Sequence, residues 1–166
     1  RDSTSLLQKE NRLKFAEKSA EILGFNWIKH GEFPDNKMDS IPLLDIVKFI
    51  ESIKSNLNPN IIYTHNPSDL NKDHRIVYEA TLTAFRPQPF EKWNEIRTFE
   101  VPSATDYGAN YFNQNFTPNL FIDITKTISK KLLALEQYKE EMRDPPHTRS
   151  IEGVNNLAKF RGFQSG

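Results

Sequence analysis

Apolar residues recur every three or four positions over much of this chain, which is the spacing of one face of an amphipathic helix. The pattern predicts five helices, of which the first runs over roughly residues 4–23 and ends at Gly24. The second ends at Asn58-Pro59, the third ends before Pro87, and Thr125 can cap the fourth. The inner faces of the five are Leu13, Ala16, Ala20 and Leu23; Leu43, Val47, Ile50, Ile53 and Leu57; Val77, Ala80 and Ala84; Ile128, Leu132, Leu135 and Tyr138; and Val154, Leu157 and Ala158.

Short apolar or β-branched runs between these helices predict strands at residues 25–28, 60–64, 96–101 and 116–122, and residues 31–40 form a polar loop. Helices that alternate with short strands indicate the α/β class. We therefore predict a Rossmann-like three-layer α/β/α fold with a mostly parallel sheet. Residues 1–166 are expected to form one partial domain, incomplete at both ends, in which the aromatic and proline-rich residues 86–121 wall a substrate cleft.

Composition and charge exclude several classes of function. Basic and acidic residues number 22 each, so the net charge is zero and the basic surface typical of nucleic-acid binding is missing. Cysteine is absent, which excludes disulfides, thiol nucleophiles and cysteine-type zinc sites. No apolar run approaches the ~20 residues of a membrane span, and no signal-peptide pattern is present. The sequence predicts a soluble, cytoplasmic protein without nucleic-acid or membrane partners, and it leaves a homo-oligomer open.

The densest group of chemically active side chains follows the strand predicted at residues 60–64. Within ten residues the chain places His65, Asp69, Asp73 and His74 between that strand and the start of a helix. Loops at the carboxyl ends of strands carry the active sites of open α/β sheets. Imidazole and carboxylate groups together are what a catalytic zinc ion or a general base requires, so the pattern favours a catalytic site here.

Structural roles compete with catalysis for the polar residues of this loop. The side chains that can cap the next helix are Asp69, Asn71 and Asp73, and capping alone would explain one of them. An Asp beside a ligand His can instead orient the imidazole or act on substrate. Catalytic zinc takes three protein ligands plus water, of which this loop offers one or two, so the others would have to come from elsewhere.

The four histidines also have structural interpretations. A lone His near a helix start, such as His74, is more often a surface residue than a ligand. His65 ends a strand, a position more typical of a hydrogen-bonded structural His than of a ligand. His147 follows two prolines and either lines a pocket or only fills a loop, and His30 is assigned no role.

The loop resembles the LmbE/PIG-L family of zinc-dependent N-acetylglucosaminyl deacetylases, whose members carry a segment similar to T-H-x-P-x-D-x-H-P-D-H-R after a buried strand. Here the segment reads T-H-N-P-S-D-L-N-K-D-H-R over residues 64–75. Weaker matches run along nearly the whole chain, at Leu23-Gly24, Pro34-Asp35, Ala84-Phe85-Arg86-Pro87, Pro118-Asn119-Leu120-Phe121-Ile122-Asp123-Ile124, Pro146-His147-Thr148-Arg149-Ser150 and Leu157-Ala158.

The resemblance implies roles for particular residues. His74 would be a zinc ligand, and the catalytic residues would be Asp73 beside it and His147, which approaches the site from the C-terminal side. Asp69 would line the substrate pocket, and Arg1 matches a substrate-contacting Arg of the family.

Two departures from the family pattern bear on activity. Members usually open with an A-H-P-D-D-E segment that supplies a His and an Asp to the metal and another Asp as general base, and no such segment occurs here. The chain is therefore expected to be truncated at its N-terminal end, and also before a final strand. In addition, Asn71 stands where many members have a His that polarises the carbonyl or protonates the amine. Asn71 can donate a hydrogen bond in the substrate site but cannot transfer a proton.

The leading hypothesis is a hydrolase with a Zn²⁺ cofactor that removes the N-acetyl group from a small-molecule amino sugar or its conjugate. This fragment alone is expected to be inactive. The alternative is a non-catalytic carbohydrate-binding or scaffold member of the same fold, which Asn71 and the missing segment favour. A nucleotide-binding Rossmann domain is a weaker third hypothesis, because G-x-G-x-x-G does not occur.

Overall fold

The computed structural model describes the backbone of residues 6–166 and the side chains of residues 10–166. Over these residues it contains six α-helices, two β-strands, and 3₁₀ turns at Met38–Ser40 and Glu136–Tyr138. The helices are α1 (Leu6–Leu23), α2 (Leu43–Leu57), α3 (Lys72–Ala84), α4 (Thr105–Phe112), α5 (Ile128–Leu135) and α6 (Ile151–Ser165), and the strands are β1 (Ile61–His65) and β2 (Glu95–Phe99). In this part of the chain, no helix combines the length and the apolar character needed to cross a membrane.

The two strands form a parallel sheet, in which Ile61 lies opposite Glu95 and His65 lies opposite Phe99. Parallel strands need a crossover connection, and α3 lies within that connection. The predicted α/β class with a parallel sheet is confirmed, with two strands over the described residues. Because both strands run the same way, His65 and Phe99 end at the same edge of the sheet, with their ring centroids 5.1 Å apart.

The core around this sheet is built from the faces that the helical periodicity predicts. α2 contributes Ile46 and Val47, α3 contributes Ala80 and Ala84, and β1 contributes Ile62, all of them buried. The two alanines lie four positions apart on one face of α3, and their small side chains leave room for the larger side chains of α2. This packing holds α3, and with it the start of that helix, against the strand that carries His65.

The chain divides into two compact units. One unit is Lys29–Thr117, which contains the two-stranded sheet and the helices α2, α3 and α4. The other joins α1 to the chain from Pro118 onward, where α1 packs against α5 and buries Ala16, Ala20 and Ala134. The prediction that residues 1–166 form one domain stays a prediction.

The strands predicted at residues 25–28 and 116–122 are wrong, because the structure has no strand at either place. Apolar runs of this kind favour a strand only where a neighbouring strand completes the hydrogen-bond ladder. Trp27 is 46% exposed and Ile28 is 61% exposed, so this run does not lie inside a sheet. The periodicity of an isolated run carries no information on whether a pairing partner exists.

Three helical features also differ from the prediction. The eight-residue helix α4 lies within residues 86–121, where no helix was predicted, and α6 extends over 15 residues, although the predicted inner face spanned only residues 154–158. The N-cap position of α5 is Thr127, whereas the hydroxyl of Thr125 donates to Asp123 in the turn before the helix, at 2.6 Å. Thr125 therefore stabilises the approach to the helix and does not cap it.

Candidate functional site

The polar loop between β1 and α3 is fixed by its own side chains. The Oδ1 atom of Asn66 accepts hydrogen bonds from the backbone N–H of Ser68 at 2.8 Å and from its hydroxyl at 2.7 Å, which closes a tight turn directly after the strand. Asn71 is the N-cap of α3 and accepts from the backbone N–H of Asp73 at 2.8 Å. The two Asn side chains thus define where the strand ends and where the helix starts.

A buried carboxylate holds the His74 ring. Asp69 is fully buried, and its Oδ2 atom lies 2.9 Å from Nδ1 of His74. A carboxylate can only accept a hydrogen bond, so a neutral His74 ring carries its proton on Nδ1 and keeps a lone pair on Nε2. In metal sites, a hydrogen bond from the Nδ1–H group to a carboxylate fixes the orientation of the ring so that Nε2 can bind the ion.

His65 lies flat against this ring. The centroids of His65 and His74 are 3.9 Å apart and their planes differ by 13°, while Nδ1 of His65 lies 3.8 Å from Oδ2 of Asp69. Burial lowers the pKa of His65 to about 4, and the nearby charge of His74 acts in the same direction. Nδ1 of His65 is buried and has no hydrogen-bond partner among the described residues. A neutral imidazole with an unused nitrogen is a ready ligand.

His65, Asp69 and His74 form a group that can hold a metal ion, because one ligand atom from each lies within 4.8 Å of the others. Two imidazole nitrogens and a carboxylate oxygen are among the donors that zinc prefers. The stacking limits how the two rings share one ion, since lone pairs in parallel ring planes do not converge. His74 through Nε2 is therefore the better-oriented ligand, and His65 would join it only after its ring turns.

Asp73 binds backbone groups of an earlier loop. Its two carboxylate oxygens accept from the N–H of Asn36 at 2.7 Å and from that of Met38 at 3.1 Å. The adjacent Lys72 reinforces this link with an ion pair to Asp39 at 3.1 Å. Of the three possible caps, Asn71 is the one used, so the capping interpretation of Asp73 is wrong. Its predicted catalytic role stays a prediction.

Of the other predicted site residues, one belongs to the other compact unit and one lies outside the described residues. His147 belongs to the unit that contains α1, α5 and α6, and its Nδ1 accepts the backbone N–H of Arg149 at 3.0 Å. A neutral His147 ring therefore carries its proton on Nε2 and can donate from there. Arg1 lies outside the described residues. The substrate roles predicted for Asn71, Asp69 and Arg1 stay predictions.

The contributors to this site that were missed in the sequence include His65 and Arg75. His65 was interpreted as a structural residue, although its position at the C-terminal end of a strand was itself a signal. The guanidinium of Arg75 donates to the backbone oxygens of Asp69 at 2.6 Å and Leu70 at 2.8 Å, and it lies 4.6 Å from the ring centroid of Phe112 in α4. No local pattern links Arg75 to a helix that starts thirty residues later.

A separate cleft of about 400 Å³ lies at the other end of the sheet. It is lined by residues that precede each strand, among them Pro59 and Trp93, together with Phe85 and Phe90. None of the residues from His65 to His74 lines it. The polar side chains of the βα loop, which joins β1 to α3, and this cleft therefore lie at opposite ends of β1.

The fold is shared with a solved structure. The chain is similar to the conserved protein TT1542 from Thermus thermophilus, with a TM-score of 0.68 over 99% of this chain and 71% of that chain. The sequence identity is 17%, so this likeness shows the fold alone. No curated protein matches the chain significantly.

The sequence of residues 4–85 matches the PIG-L family, described as GlcNAc-PI de-N-acetylase. The matched region includes the whole βα loop with Asp69 and His74 and ends just after α3. Members of this family are usually deacetylase hydrolases. This match identifies residues 4–85, just under half of the chain, as a PIG-L family segment.

Proposed function

We propose that the complete protein is a zinc-dependent hydrolase that removes the N-acetyl group from an amino sugar or a conjugate of one. The family match supports a deacetylase-type reaction. The observation that carries the proposal is the contact between Asp69 and Nδ1 of His74, which leaves Nε2 of a family-motif histidine available to a metal ion. A small-molecule carbohydrate substrate fits the same family.

In this proposal His74 holds the metal through Nε2, and Asp69 keeps the ring in the required tautomer. The bound zinc would supply Lewis-acid polarisation of the acetyl carbonyl and a water whose pKa falls toward ~7. Asp73 fixes the loop around Met38 beside the start of α3, where it can shape the site. Asn71 or, alternatively, His147 is proposed as the hydrogen-bond donor to the negative charge that develops on the carbonyl oxygen.

The test compares His74→Ala with His30→Ala in the natural full-length protein. His30 is exposed and is not part of the group formed by His65, Asp69 and His74, so it serves as a matched histidine control. Zinc content is measured by elemental analysis, and acetate release is measured on N-acetylglucosaminyl-phosphatidylinositol and simpler N-acetylglucosamine conjugates. We expect His74→Ala to lose both stoichiometric zinc and acetate release, whereas His30→Ala keeps both. Full zinc occupancy and full activity in His74→Ala would refute the assignment.

A binding protein without catalysis is the second candidate, and Asn71 favours it. The Oδ1 atom of this side chain is engaged as the cap of α3, and an amide cannot transfer a proton. The two candidates differ in one measurement, which is titration of the zinc-loaded protein with the same conjugates while acetate is monitored. Saturable binding without acetate release supports the binding protein, and acetate release supports the hydrolase.

A further inference from the structure

We infer that Thr105, on α4, is a positioning residue for His74 and that it acts by fixing the Asp69 carboxylate. The inference concerns the same site and rests on the proposed function in taking His74 as the metal-binding residue. Thr105 lies outside the region matched to the PIG-L family, which ends at residue 85. It is separated from Asp69 by 36 positions in sequence.

A chain of hydrogen bonds with a defined direction connects α4 to the imidazole. The backbone N–H of Val101 donates to Oγ1 of Thr105 at 2.7 Å, and Oγ1 of Thr105 lies 2.5 Å from Oδ1 of Asp69. A hydroxyl has one proton, and a carboxylate can only accept, so the Thr105 proton points at Asp69. Oδ2 of Asp69 then remains for Nδ1–H of His74, at 2.9 Å. Both oxygens of the carboxylate are therefore committed to defined donors.

Burial makes this arrangement stiff. Thr105 is 3% exposed and Asp69 is fully buried, so water cannot readily replace a lost hydrogen-bond donor to the carboxylate. A buried acceptor without its donor costs about 1–3 kcal/mol, and more when it is charged. The carboxylate consequently has a strong preference for the one orientation in which both oxygens are satisfied. That orientation is the one that holds the His74 ring.

The backbone of α4 approaches the same loop closely enough to require a glycine. A Cβ atom added to Gly108 would overlap the carbonyl oxygen of Ser68 and would lie 2.7 Å from the backbone nitrogen of Leu70. The N–H of Leu70 in turn donates to the carbonyl of Ala104 at 2.9 Å. The loop is thus held to α4 by backbone contact as well as by the Thr105 hydroxyl, which fixes the distance that the hydrogen bond must span.

This geometry predicts a specific consequence for metal binding. Outer partners of metal-binding histidines typically change metal affinity by ~10- to 100-fold when they are removed. Loss of the Thr105 hydroxyl frees one carboxylate oxygen of Asp69, which lets the carboxylate rotate and weakens its hold on Nδ1–H. We expect weaker zinc binding together with a mixture of His74 tautomers, and no direct loss of a substrate contact.

The experiment compares Thr105→Val, which keeps the shape and removes the hydroxyl, with Thr105→Ser, which keeps the hydroxyl. Thr98→Val is the matched control, because Thr98 is an exposed residue of β2. Zinc affinity is measured by chelator competition, and the His74 ring nitrogens are followed by ¹⁵N NMR in protein treated with chelator. We expect Thr105→Val to bind zinc ~10- to 100-fold more weakly and to populate both tautomers. Thr105→Ser and Thr98→Val should match the unmodified protein.

Unchanged zinc affinity and an unchanged single Nδ1–H tautomer in folded Thr105→Val would overturn the inference. The tautomer is read without metal, so it tests the positioning role even if the unmodified protein proves to bind no zinc, which would instead count against the proposed function. If Thr105→Val fails to fold, the inference is tested by NMR on the unmodified protein. A slowly exchanging Thr105 hydroxyl proton and Nδ1-protonated His74 support the inference, and a hydroxyl proton in rapid exchange with water contradicts it.

Discussion

At the scale of single residues, adjacent side chains at the start of α3 have separate tasks. His74 turns toward Asp69 within the βα loop, whereas Asp73 turns away and binds the backbone near Met38. Met38 itself is a buried core residue, so the Asp73 carboxylate connects the start of α3 to a segment that is already anchored in the core. Of these two adjacent residues, His74 belongs to the group that can hold a metal ion, and Asp73 links the start of α3 to the loop at Met38.

Replacement of Asp73 by Ala should destabilise the protein. The carboxylate accepts two backbone N–H groups, and loss of a charged acceptor typically costs about 1.5–3 kcal/mol in the free energy of unfolding. Asp45→Ala is the matched control, because Asp45 is likewise an acidic residue in the first turn of a helix. Urea denaturation of both variants separates the loop contacts from the general effect of a negative charge at a helix start. Equal losses in the two variants would contradict the assigned contacts.

At the scale of elements, side-chain caps determine where α3 and α6 start. Asn71 accepts from the N–H of Asp73, and Ser150 accepts from the N–H of Gly153 at 2.9 Å. Both caps are short polar residues in extended backbone conformation, as capping requires. The start of α3 matters most, because it sets the direction in which His74 leaves the helix.

Asn71→Ala should lower the free energy of unfolding by about 0.5–2 kcal/mol, since the N–H of Asp73 loses its acceptor. Asn71→Ser should preserve most of the stability, because a hydroxyl can still accept at this position. Thermal denaturation of the two variants checks the difference. If both variants unfold at the same temperature as the unmodified protein, the cap does not contribute.

The elements that the sequence predicts correctly are those determined by local contacts. α2 and α3 carry a full apolar face and clear end signals, and the strand at Ile61–His65 is a β-branched run that ends in polar residues. The strand predicted at residues 25–28 failed because strand formation depends on a distant partner. The candidate site shows the same division. His74 and Asp69 were singled out within one loop, although the hydrogen bond between them was not predicted, whereas Thr105 reaches Asp69 across 36 positions.

At the scale of the whole molecule, each compact unit depends on its own packing. In the unit Lys29–Thr117, the buried cluster joins α2, α3 and β1 behind the βα loop. In the other unit, α1 and α5 bury small alanines, and the rings of Phe15 and Tyr138 meet edge to face at 6.2 Å. The geometry of the candidate site depends on the first of these cores.

Ile46→Ala should destabilise the protein by about 2–5 kcal/mol, because truncation of a buried Ile leaves a cavity in this core. Ile46 is 2% exposed, whereas Leu44, two positions earlier on α2, is 58% exposed. Leu44→Ala should therefore change the free energy of unfolding by no more than about 0.5 kcal/mol. Denaturant titration of both variants provides the measurement, and a small loss in Ile46→Ala would show that the core is packed differently.

The close fit between Gly108 and the loop at Ser68 has a practical consequence for the expression of a minimal fragment that contains the candidate site. A boundary drawn where the family match ends, at residue 85, would discard α4 and leave the surface of Asp69 open to solvent. Grafting the motif alone into another scaffold would meet the same difficulty, since the recipient must offer a small residue and a hydroxyl at matching places. The transferable unit extends at least to Phe112, the last residue of α4.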